Sequence, residues 1–107
     1  MALRQLDAVH DGLPTADGNG VPLRRLVPWA GGNGSAAFRA VDPFLLMDHF
    51  GPMVLPPGTD VGLPPHPHKG FQTLTYLIQG TFRHRDSTGG AGTLRPGGAQ
   101  LMTAGRG

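Results

Sequence analysis

Eighteen glycines and eleven prolines stand among 107 residues, so 29 positions, about 27%, resist the interior of a helix. The charged residues point the same way. The acidic total is seven Asp with no Glu at all, and Lys69 is the only lysine. Helix surfaces favour Ala, Leu, Glu and Lys, so a chain of this make-up is read as β-structure joined by turns. Such a Gly and Pro content touches the range of low-complexity disorder. Disorder usually pairs low hydrophobicity with high net charge, whereas this chain is 38% hydrophobic with a net charge of only +2. The length suits one small domain with a modest core.

Several classes fall away. With no Cys there is no disulfide framework, no thiolate metal site and no cysteine nucleophile. That composition suits a reducing cytoplasm, the expected compartment. No apolar run approaches the ~20 residues that span a bilayer, and the first ten residues lack the apolar stretch of a signal peptide. The cations are scattered apart from Arg24-Arg25 and Arg83-His84-Arg85. No direct nucleic-acid partner and no membrane partner are therefore expected.

Punctuation divides the chain into short pieces. Asp17-Gly18-Asn19-Gly20 reads as a turn and Val21–Val27 as a strand with Pro22 near its start. Gly31–Ser35 reads as a loop, and Phe44–Phe50 as an extended apolar run. Five prolines and three glycines between Gly51 and Pro65 exclude a regular element. The clearest strand is Phe71–Ile78. Gln79-Gly80 is expected to turn it directly into a second strand, Thr81–Arg85. Asp86–Gly90 reads as a turn whose Asp accepts local backbone N–H bonds. Short strands follow at Gly92–Arg95 and Ala99–Thr103 around Pro96-Gly97-Gly98. Many short strands with Gly/Pro turns indicate an antiparallel sandwich or barrel.

His66-Pro67-His68 is the sharpest chemical feature. In extended backbone, residues i and i+2 project to one side about 6.6 Å apart, and two imidazoles leaning together from there can share one ion. Pro67 restricts its own φ and biases His66 towards extended geometry. A mononuclear centre needs at least one further ligand. Asp48, His49 and Asp60 stay open as candidates, each more readily read as a loop or surface residue. His10 reads as solvent-exposed. If Gln79-Gly80 closes a hairpin, Thr75 faces His84, while His68, Gln72, Leu74 and Tyr76 share the opposite face. His84 then points away from the ion. Tyr76 and Trp29 read as packing residues.

Four ordered blocks resemble the N-terminal domain of pirins. They are Asp42-Pro43-Phe44-Leu45-Leu46-Met47-Asp48-His49-Phe50-Gly51-Pro52, then His66-Pro67-His68-Lys69-Gly70-Phe71-Gln72-Thr73-Leu74-Thr75-Tyr76, then His84-Arg85-Asp86-Ser87, then Gln100-Leu101-Met102-Thr103-Ala104-Gly105-Arg106-Gly107. Gly90, five residues and Pro96-Gly97-Gly98 are similar to the start of the second cupin motif. The resemblance implies an all-β, cupin-type antiparallel jelly-roll half-barrel, incomplete at the C-terminus. Residues 21–107 would form a truncated cupin domain and residues 1–20 an N-terminal extension.

It further implies an Fe(II)-type centre held by the two histidines of this segment plus a His and a Glu beyond the last block. His66 and His68 carry over as metal ligands. The other two do not, so weak metal binding and little dioxygenase activity are expected of this chain. Gln72 stands where many pirins have Glu, and with Tyr76 it is assigned a supporting or substrate-facing place; Leu101 stands where Trp is common. Pirins imply two functions, a quercetin 2,3-dioxygenase acting on a flat flavonol-like substrate, or a metal-dependent protein that regulates a transcription factor or enzyme. Open strand edges are expected to favour self-association.

Overall fold

The computed structural model describes residues 3, 5, 6, 9–27, 41–59 and 61–107. The Gly31–Ser35 loop, Trp29 and Asp60 lie outside the described residues. All seven elements among them are β-strands: β1 (Leu13–Asp17), β2 (Val21–Val27), β3 (Met47–Phe50), β4 (Gln72–Tyr76), β5 (Phe82–Arg85), β6 (Ala91–Leu94) and β7 (Ala99–Thr103). Every pairing is antiparallel. This is the all-β architecture expected from the Gly, Pro and Asp usage, and it agrees with a cupin-type jelly roll. The chain divides into two compact units, Met1–Pro65 and His66–Gly107.

The first unit is a three-stranded sheet in the order β1-β2-β3. β1 and β2 form a hairpin with Asp17 opposite Val21. Gly18 and Gly20 turn the chain with φ of 56° and 82°, values an L side chain rarely adopts. β1 was not foreseen. Leu-Pro-Thr-Ala-Asp has no alternation of apolar and polar residues, and every position in it is exposed. The core lies on β2, where Val21, Leu23 and Val27 are the buried hydrophobic residues among those described. Alternation puts Val21 and Leu23 on one side of the strand, and an irregularity between Arg25 and Val27, one extra residue against β3, breaks that alternation before Val27.

The second unit holds two ladders, β4 with β7 and β5 with β6. Here one expectation fails. Gln79-Gly80 does not fold β4 onto β5; β4 takes β7 as its neighbour, with Leu74 opposite Leu101 and Tyr76 opposite Ala99. The ladder also runs past both ends of β4. Gly70 N donates to Gly105 O (2.9 Å) and Ala104 N to Phe71 O (3.0 Å), while Gly97 N donates to Leu77 O (2.8 Å) and Leu77 N to Gly98 O (3.0 Å). Eight residues of backbone pairing outweigh what a two-residue turn can specify locally.

Candidate functional site

The pairing of Gly70 and Phe71 with the end of β7 anchors the chain immediately after His66-Pro67-His68. The two imidazoles lie side by side, ring centroids 4.6 Å apart and planes inclined at 77°. His68 is half-buried and also packs on Phe71, centroids 5.2 Å apart. Two imidazoles bound to one ion at about 2.1 Å, at right-angle to tetrahedral ligand angles, have centroids roughly 4.5–5.2 Å apart. The observed separation falls in that interval. Two nitrogen donors suit Fe, Zn, Cu or Ni rather than Mg or Ca. The same spacing and inclination equally suit an edge-to-face ring contact, and no third His, Asp or Glu joins the pair among the described residues.

Gln72, Leu74 and Tyr76 share one face of β4, as alternation requires, and that face is exposed. Gly70 has a φ of +76°, so the two-residue alternation does not run back from Gln72 to His68. Gln72 Nε2 donates to Thr103 Oγ1 across the ladder (2.9 Å), which holds the amide on that face. Tyr76 stands on the same face, 64% exposed.

The other candidates are placed elsewhere. Asp48 is no surface residue. It lies opposite Arg25, and its side chain is 7% exposed. Arg25 Nε donates to Asp48 Oδ1 and Nη2 to Oδ2, both at 2.9 Å, a fork that leaves the carboxylate engaged. Nη2 is also 3.6 Å from Asp17 Oδ2. His49 is exposed on β3 opposite Arg24.

His84 belongs to a different group. With β5 paired to β6 it lies opposite Gly92, so its expected pairing with Thr75 does not exist. Its Nε2 is 3.2 Å from Asp86 Oδ2. The other carboxylate oxygen of Asp86, Oδ1, accepts from Thr88 N (2.9 Å), Gly90 N (3.0 Å) and the Thr88 hydroxyl (2.6 Å). The turn role read for Asp86 is thus realised. These donors, led by Thr88 and then His84, hold its carboxyl far below the usual carboxylate range. Gly90 is needed for this arrangement, because a Cβ there would meet Asp86 Oδ2. The link from His84 to Asp86 was missed in the sequence, although i and i+2 on a strand share a face.

The sequence profile of the pirin family matches residues 24–107. The chain belongs to the pirin family. It is 43% identical over 104 residues to a Pseudomonas aeruginosa protein named "Putative quercetin 2,3-dioxygenase", covering 97% of this chain and 34% of that one. A pirin-like protein of Caulobacter vibrioides is 40% identical over 109 residues, covering 100% of this chain and 36% of its own. One from Solanum lycopersicum is 44% identical over 91 residues, covering 85% and 28%. This pirin chain therefore spans about a third of the length of the curated relatives it matches. No solved structure matches it.

Proposed function

We propose that this pirin chain contributes the two-histidine half of an Fe(II) centre of the quercetin 2,3-dioxygenase kind, with His66 and His68 as ligands. The observation that carries the reading is the 4.6 Å spacing of the two rings on a segment tied to the β4–β7 ladder. It is supported by the name of the Pseudomonas aeruginosa relative. Bound there, Fe(II) would supply a Lewis acid for a substrate oxygen and redox chemistry towards O₂. The protein's own part is positional. Pro67 restricts the backbone between the ligands, and Phe71 supports the His68 ring. Gln72 and Tyr76 offer an amide and a phenol on the exposed face of β4, where a flat flavonol-like molecule could lie against Leu74. Gln72 places no charge there. The cytoplasm remains the proposed compartment; no helix among the described residues is long and apolar enough to cross a membrane.

Two imidazoles alone give weak binding, because much of the free energy of a metal centre comes from the full ligand set. Anaerobic Fe(II) titration followed by calorimetry tests this. Weak binding that disappears in both His66→Ala and His68→Ala is expected. Tight one-to-one binding, or binding that survives both substitutions, would overturn the two-ligand reading. Adding a flavonol with iron separates catalysis from regulation: metal-dependent loss of its absorbance supports the oxygenase, and capture of a partner protein without turnover supports the regulatory alternative.

A further inference from the structure

Charge is divided unevenly along the chain. Six of the seven Asp lie within Met1–Pro65, whereas His66–Gly107 carries Lys69, Arg83, Arg85, Arg95 and Arg106 against Asp86 alone, a net charge of +4 with His neutral. Such asymmetry between the parts of a chain points to an anionic partner for the basic part. Asp86 offers such a partner little competition. Its Oδ1 accepts from Thr88 and Gly90, and its Oδ2 lies 3.2 Å from His84 Nε2.

Two of these five cations stand as a pair. Arg83 and Arg85 are exposed at alternate positions of β5, so they share one side of the β5–β6 ladder, about 6.6 Å apart along the strand. Their cross-strand neighbours are small: Thr93 lies opposite Arg83 and Ala91 opposite Arg85. Phe82 and His84 take the other side of β5, and the contact with His84 holds Asp86 there as well. Neither guanidinium has an acidic partner among the described residues.

An extended peptide repeats at the same interval. Carboxylates at every second residue of such a segment are also about 6.6 Å apart, so two of them meet the two guanidiniums together. Each pair has the planar fork geometry that Arg and carboxylate share. A nucleic-acid strand is a poorer match. Single strands bind on aromatic platforms, and the side formed by Arg83, Arg85, Ala91 and Thr93 has no ring.

We propose that this side of the β5–β6 hairpin binds an extended acidic peptide segment with carboxylates at every second residue, held by Arg83 and Arg85. The surface uses neither His66 nor His68, so it stands or falls independently of the metal centre.

Two fluorescent peptides of equal composition, added to the 107-residue chain without metal, provide the test. One repeats Glu-Thr, and the other repeats Glu-Glu-Thr-Thr, which never places carboxylates two residues apart. Fluorescence anisotropy follows binding, and the arginine Nε resonances report the contact. The alternating peptide is expected to bind about threefold more tightly, the worth of one exposed ion pair, and to shift the Arg83 and Arg85 signals. Its affinity should fall as salt rises from about 0.1 M to 1 M, over which the screening length shrinks from about 10 Å to 3 Å. Arg83→Gln and Arg85→Gln should each weaken it about threefold, whereas Arg95→Gln and Arg106→Gln preserve it. Equal binding of the two peptides, an equal loss in all four variants, or tighter binding of a single-stranded oligonucleotide of the same charge would each overturn the proposal. The comparison of peptides needs no variant, so a substitution that fails to fold does not shield it.

Discussion

Asp86 carries more of the local structure than any other acidic residue described, because Oδ1 accepts from three donors of the turn Asp86–Gly90 and Oδ2 lies against His84 of β5. Its carboxyl titrates far below the ordinary range when folded. The unfolded chain, with an ordinary value near 3.9, therefore takes up the proton first. The stabilisation from this residue is fully present above that value and is lost as pH falls through the folded one. Asp86→Asn should lower the melting temperature at pH 7, and the gap to the parent should narrow progressively below about pH 4. Thermal melts by circular dichroism from pH 7 to pH 2 would show it; a gap independent of pH would rule out the carboxylate as the cause. Arg25 is the second such residue. Its fork onto Asp48 has a geometry that Lys cannot reproduce, so Arg25→Lys should destabilise the first unit by about 1–3 kcal/mol, measured by urea unfolding.

At the scale of elements, the two ladders of the second unit turn on Gly97-Gly98. Gly97 has a φ of +81°, and both glycines bond to Leu77 through the backbone. A Cβ on Gly98 would lie 2.9 Å from the Arg95 carbonyl oxygen, a backbone atom that cannot swing aside. Gly98→Ala should therefore cost roughly 1–3 kcal/mol through overpacking, with hydrogen exchange accelerated first at Leu77. Gly92→Ala is the control, since nothing stands near its Cβ position. Strand positions in this unit were legible: β7 is Ala99–Thr103 as read, and β4 lies inside the Phe71–Ile78 run. Their partners were not. Alternation states which side of a strand a residue occupies, but Leu74 has no local reason to choose Leu101 over the next strand along the chain. That choice depends on a sum of backbone bonds spread over 36 residues of chain.

Among the described residues, apolar surface is plentiful and core is scarce. Val21, Leu23 and Val27 are buried, whereas Leu74 and Leu101, a cross-strand pair, are 68% and 62% exposed. Adjacent exposed leucines beside unpaired strand edges favour association of one chain with another. The 107-residue chain is expected to self-associate in sedimentation velocity at micromolar concentration, and Leu101→Lys should shift it towards monomer. A monodisperse monomer in the parent would contradict the expectation.

The sequence by itself determined the β class, through its lack of Glu and its Gly and Pro spacing. It also determined the family, through blocks that lie within residues 24–107 apart from the chain before them, and the His66-Pro67-His68 pair, whose nearness is set by two residues of backbone. Such properties are local, so they can be read along the chain. Only the tertiary structure decided that β4 pairs with β7 and that Asp48 is held by Arg25. Those outcomes depend on groups brought together from distant positions, where the energies of many weak contacts are summed before any one pairing is chosen.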